Sequence, residues 1–164
     1  MNNLKQLKQE LEKTKNKCAE IEKKIKELEI KVRWRAREGE KYYYFCGHGE
    51  ICADRDGHHG LDTDRYSLGN YFKTEEEAEN VVEKIKIYTQ LKDLALRLNR
   101  GKKMDWNNSA QSKWCIILDL LDNTFRCCYA CMRQEIGQIY CLDGNFLEDA
   151  KQEIGEENLR KLFE

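Results

Sequence analysis

The sequence predicts an α+β protein: an N-terminal coiled-coil helix followed by two small antiparallel-sheet-plus-helix units. Three observations carry this expectation. Apolar residues recur at alternating steps of three and four from Leu4 to Val32. A capping signature at Thr74 opens a long stretch whose apolar residues return at helical spacing. Short aromatic or β-branched runs, separated by turn residues, precede and follow that stretch. The expected segments are a dimerisation helix over 1–38, a three-stranded sheet with a long helix over 39–103, and a three-stranded meander with C-terminal helices over 104–164.

In the first segment, Leu4, Leu11, Cys18, Ile25 and Val32 fall at one core position of a heptad, and Leu7, Thr14, Ile21 and Leu28 at the other. The steps never slip, as a coiled-coil seam requires; the alternative is a helix folded back on its own domain. In a parallel pair Glu10 meets Lys15, Lys17 meets Glu22, and Lys24 meets Glu29. An antiparallel pair gains unlike contacts too, but opposes Lys17 to Lys24. The pattern favours a parallel homodimer. The charge pattern changes at Arg33-Trp34-Arg35-Ala36-Arg37. Three arginines beside a tryptophan suit phosphates or an acidic protein surface, and equally the solvated last turn of a helix, where cations complement the dipole. Arg33, Trp34, Arg35 and Arg37, with Arg55 and Arg65 further on, are the candidate partner-binding residues.

Gly39 breaks the first helix, and Lys41 to Cys46 is aromatic and strand-like. A turn at Gly47-His48-Gly49 returns the chain as a second strand over Glu50 to Ala53. The polar, glycine-bearing stretch from Asp54 to Asp64 reads as an exposed loop with solvated carboxylates. Tyr66 to Phe72 reads as a third strand, with Gly69 marking a bulge. Thr74 and Glu77 then form a capping box, and Glu75 to Glu77 put negative charge at the positive end of the helix dipole. Ala78, Val81, Val82, Ile85, Tyr88, Leu91, Leu94, Ala95 and Leu98 form one apolar face, and Gly101 stands where a left-handed cap belongs. Past a polar connector, Trp114 to Leu121, Phe125 to Met132 and Gln138 to Leu142 read as three strands of a meander. Asn145 caps a helix, which Gly155 interrupts before a last amphipathic turn.

Composition narrows the function classes. With 36% charged residues and a net charge of −1, the chain does not coat nucleic acid by bulk charge. No apolar run approaches the roughly 18 residues of a membrane span. The N-terminus is charged from Lys5 and lacks the apolar core of a signal peptide, so a cytoplasmic location is expected. The eight cysteines are then thiols or metal ligands. Cys46, His48, Cys52, His58 and His59 are possible zinc ligands, but their spacing matches no common finger. Cys127, Cys128, Cys131 and Cys141 read as small packing residues of a sheet. No local signature of a cysteine nucleophile surrounds any of the eight. Asp54, Asp56, Asp62 and Asp64 lack the spacing of a calcium loop. The expectation is a protein without cofactor and without enzymatic activity.

Three pieces together carry a resemblance. They are Trp34 followed by Gly39-Glu40-Lys41-Tyr42-Tyr43-Tyr44, then Arg65-Tyr66 through Gly69-Asn70, then Phe72-Lys73-Thr74 with Glu76-Glu77-Ala78-Glu79. With the ending Ile154-Gly155-Glu156-Glu157, Leu159 and Lys161, this resembles a group of small bacteriophage and prophage accessory proteins. The resemblance covers most of 34–164 and implies a fold outline and a phage context, with no catalytic residues. Within that context it implies an inhibitor of a host defence protein or its nucleic-acid complex, a CRISPR effector nuclease foremost, acting in the cytoplasm of a bacterial host. Leu68-Gly69, Phe72, Thr74 and Glu76-Glu77-Ala78 also resemble the strand-to-helix junction of integrase arm-type and ethylene-response-type DNA-binding domains. That second resemblance implies a three-stranded sheet laid in the major groove, and a DNA-binding accessory or regulatory protein as the alternative.

Overall fold

In the computed structural model, residues 2–31, 33–129 and 134–163 are described, the side chains of the first helix over 10–24 only. The chain is mixed α and β, with five helices and two small antiparallel sheets among the described residues. It forms two compact units, Met1–Ala78 and Glu79–Glu164. The sequence reading placed the long helix wholly in the first unit; here its opening turn belongs to the first and the rest to the second.

Helix α1 spans Asn2–Lys31. Every residue from 10 to 24 is exposed, including seam residues Leu11 and Ile21, each at 57%, and Cys18. Over that stretch the helix does not fold back on its own domain. The side chains of Leu4, Leu7, Ile25 and Leu28 lie outside the described part, and Val32 outside the described residues. Arg33 to Arg37 do not form the helix's last turn, since residues 33–37 have no regular secondary structure.

Strands β1 (Lys41–Phe45) and β2 (Ile51–Arg55) pair as the expected hairpin, Tyr42 opposite Asp54 and Tyr44 opposite Cys52. The expected third strand over Tyr66 to Phe72 is not formed. Helix α2 occupies Gly60–Leu68, and Gly69 is its left-handed cap at φ 82°, not a bulge. The Gly69 N–H donates to the Tyr66 carbonyl and the Asn70 N–H to the Arg65 carbonyl, the paired closure of a Schellman motif. Phe72 makes a single backbone bridge to Tyr43, and the Asn70 side chain accepts the Phe45 N–H and donates to the Phe45 carbonyl. The stretch read as an exposed loop with solvated carboxylates contains two of the most buried polar residues, Asp56 at 0% and Asp62 at 5%.

Helix α3 (Glu75–Leu98) opens with the capping box: the Glu77 N–H donates to Thr74 Oγ1 at 3.2 Å, and the Thr74 N–H to Glu77 Oε2 at 3.3 Å. Its buried face holds Ala78, Val82, Ile87, Leu91, Leu94 and Ala95. Ile85 and Tyr88, expected on that face, are 47% and 39% exposed, while Ile87, not expected there, is buried. The stripe is thus rotated slightly from the one read from spacing.

The second unit is built from β3 (Trp114–Asp119), β4 (Thr124–Tyr129), β5 (Tyr140–Cys141), α4 (Phe146–Glu153) and α5 (Glu156–Lys161). The sheet order is β4-β3-β5, so it is not the expected meander. The apolar strand β3 takes the centre, Trp114 pairing with Tyr129 on one side and Cys141 on the other. A strand with Cys115 and Ile116 both buried belongs between neighbours rather than at an edge. Ile87, Leu91, Leu94 and Ala95 of α3 pack with Ile116, Phe125, Cys141, Phe146, Ala150 and Leu159 into one core. Asn145 precedes α4 but makes no side-chain cap, contrary to expectation. Gly155, at φ 90°, separates α4 from α5 as read.

Candidate interaction site

In the first unit the functional candidates converge on an aromatic and carboxylate core. A unit this small cannot bury a large aliphatic core, and this one uses tyrosine rings with their polar ends tied down. Tyr42 lies flat on Tyr71 at 4.1 Å, with Tyr66 edge-on to Tyr71 at 5.5 Å and Trp34 at 5.7 Å. The Tyr71 hydroxyl donates to Asp56 Oδ2 at 2.7 Å and accepts the Ala36 N–H. Asp56 also accepts Arg35 Nε at 3.0 Å and the His58 N–H at 2.7 Å. The Tyr42 hydroxyl donates to Asp62 Oδ1 at 2.7 Å and accepts from the Arg65 guanidinium. Asp62 Oδ2 takes the Gly57 and His59 N–H groups. Arg65 continues to Asp54 at 3.1 Å and stacks over the Tyr44 ring at 3.6 Å.

The electrostatics follow from these partners. Burial pushes the Asp56 carboxyl up, but hydrogen bonds from Tyr71, Arg35 and His58 outweigh it and hold it down to about 2. The Tyr42 hydrogen bond lowers Asp62, against the opposing effect of burial. Burial, then Asp62, pushes Tyr42 up to about 12, and burial with Asp56 raises Tyr71 as well. Each shift deepens the form already present at neutral pH, whereas an acid–base catalyst is moved toward neutrality. Among the described residues no buried side-chain nitrogen or oxygen lacks a partner. The cluster therefore reads as a structural lock.

This placement absorbs several candidates. Arg35 and Arg65 are engaged by Asp56 and Asp54, and Trp34 is half-buried against the core. Arg33 lies exposed over the Tyr66 ring at 3.8 Å. Arg37 is exposed, and exposed Arg55 donates to the Gly39 carbonyl. From 33 to 78 there are ten Asp and Glu against seven Lys and Arg, so the segment's formal charge is negative. Cys46 follows β1, His48 is in the hairpin turn, Cys52 is in β2, and His58 and His59 precede α2. Among the described residues no group of three or more His, Cys, Asp or Glu is placed to hold a metal ion. Cys131 lies outside the described residues.

The second unit offers a surface the sequence reading missed. Leu120 and Leu121 were read as the end of a strand, but β3 stops at Asp119 and both project from the hairpin tip, 85% and 98% exposed. The tip is braced from several sides. Asp119 Oδ1 accepts the Leu121 N–H at 2.9 Å, and Asp122 Oδ1 accepts the Thr124 N–H and hydroxyl. Arg126 joins Asp119 at 3.2 Å and Asp122 at 2.6 Å. From α5, Arg160 donates to the Asn123 side chain at 2.9 Å and carbonyl at 3.0 Å, holding Asn123 at φ 57°. Two adjacent leucines on this hydrogen-bonded turn form an exposed apolar patch. The available signal was Asp119 and Asp122 bracketing the leucines, each two residues before a backbone N–H it can accept.

No helix among the described residues is long and apolar enough to cross a membrane. Comparison of the chain with protein-family models, with curated proteins and with solved structures finds no match to any of them.

Proposed function

We propose that the protein is a non-enzymatic inhibitor of phage type that binds a bacterial defence effector, a CRISPR nuclease foremost, as a homodimer in the host cytoplasm. The observation that carries this reading is the braced Leu120–Leu121 tip, an apolar anchor aimed away from the core of its own unit. Protein interfaces draw most of their binding energy from a few such anchors, and burying a leucine contributes about 1.5–3 kcal/mol. The DNA-binding alternative has less support. Its parent fold needs a three-stranded sheet, whereas β1 and β2 form a two-stranded one, and two of the six partner-binding candidates, Arg35 and Arg65, are tied to carboxylates.

Target-cleavage reactions by a panel of CRISPR nucleases, with the purified protein added, test the proposal. Inhibition of one nuclease, weakened tenfold or more by Leu120→Ser with Leu121→Ser, is the expected result. Both positions are solvent-exposed, so the variant keeps its fold by circular dichroism. Absence of inhibition, together with tight binding of naked duplex at about 150 mM salt, where exposed charges are screened within roughly 8 Å, would overturn it in favour of the DNA-binding reading.

A further inference from the structure

We infer that α1 pairs in parallel and in register with α1 of a second copy, along the line of Leu11, Thr14, Cys18 and Ile21. This rests on the homodimer reading above and on the parallel seam expected from the sequence, and adds that the seam's described stretch is uncovered by its own chain. Residues 10 to 24 are all exposed, so this stretch receives no cover from its own chain. A helix in water draws most of its stability from packing an apolar face, and this stretch has that face uncovered. Leu11, Thr14, Cys18 and Ile21 succeed one another at steps of three and four and share one side. Thr14 fits the seam because its hydroxyl is satisfied within the helix, donating to the Glu10 carbonyl at 2.9 Å, which leaves its methyl to pack. Cys18 behaves as a small apolar residue there.

Charge selects the occupant and its direction. The flanking positions place Glu10 against Lys15, Lys17 against Glu22 and Lys24 against Glu29 in a parallel second copy, three unlike contacts without a like one. Reversing one helix brings Lys17 against Lys24. Self-complementarity of this kind singles out another α1 over an unrelated apolar surface.

The experiment uses the full chain with Leu11→Cys in a Cys18→Ser background, incubated with glutathione disulfide. Two thiols become one interchain disulfide while one glutathione disulfide is reduced to two glutathiones. In a parallel pair the two introduced thiols stand at the same level. In the reversed pair position 11 faces position 28, and the two thiols are about 25 Å apart along the axis. Covalent dimer on non-reducing electrophoresis, absent from the Cys18→Ser control, is expected, with a dimer mass by light scattering at micromolar concentration. A dimer mass without the cross-link would overturn the parallel register and leave self-association standing. A monomer mass for the unmodified chain would overturn both. Ile21→Asp should convert dimer to monomer with loss of helical signal confined to α1, while the near-ultraviolet aromatic signal of the tyrosine core is kept, because Ile21 belongs to neither core.

Discussion

Replacing Asp56 by Asn removes a charge and leaves the shape of the side chain almost unchanged. Asp56 is fully buried and accepts on both oxygens: Oδ2 from Tyr71 and Arg35, Oδ1 from the His58 N–H. An amide has one oxygen. If it faces Tyr71 and Arg35, its NH2 meets the His58 N–H; if it faces His58, its NH2 meets the Arg35 donor. Either way a donor is left facing a donor, and the Arg35 guanidinium loses its counter-ion. Removing one partner of a buried pair costs about 3–5 kcal/mol, and because one set of bonds survives, a loss of roughly 2–4 kcal/mol is expected here. The reporters are the Tyr43 and Phe72 amides, whose reciprocal bonds of 2.9 and 2.8 Å tie β1 to the segment after α2. Their hydrogen exchange through opening of the unit should accelerate about 30- to 900-fold in Asp56→Asn at pH 7. Exchange within threefold of the unsubstituted chain would refute the claim that Asp56 locks this unit.

The remaining predictions concern pH and the α3 face. The Asp56 carboxyl is held at about 2 in the fold against its ordinary 3.8, so its contribution is complete above pH 4 and is lost as pH falls toward 2. The loss is roughly 2 kcal/mol from this group, Asp62 adds to it in the same direction, and urea titrations across that window should show Asp56→Asn losing less than the unsubstituted chain. On α3, Ile87→Ala should cost about 2–4 kcal/mol and Ile85→Ala under about 1 kcal/mol, since Ile87 is 4% exposed and Ile85 47%; equal melting temperatures for the two variants would contradict the rotated face.

Features decided within a few residues were legible in the sequence. Thr74 and Glu77 are three positions apart, and their capping box forms wherever a helix starts there. The β1–β2 hairpin around Gly47-His48-Gly49 is local in the same way. The heptad of α1 is a pattern of sequence spacing, and its pairing with a second copy is the proposal made above. Other features depended on segments distant in the chain. Tyr66 to Phe72 has the composition of a strand, yet α2 forms across its start because Tyr66 and Tyr71 join Trp34 and Tyr42 in one aromatic core. Asp56 is buried because Arg35, 21 positions before it, and Tyr71, 15 after it, converge on its carboxylate. Nothing in the polarity of Asp54 to Asp64 could distinguish that carboxylate from a solvated one. β3 lies at the centre of its sheet because β5 returns to its free side, a choice that spacing along the chain does not encode. Leu120 and Leu121 look like core residues in sequence and are exposed because β3 ends at Asp119. Sequence alone determined the Thr74 capping box and the β1–β2 hairpin because each depends on neighbours a few residues apart. Burial depends on which distant groups meet, and that was decided only when the tertiary structure brought them together.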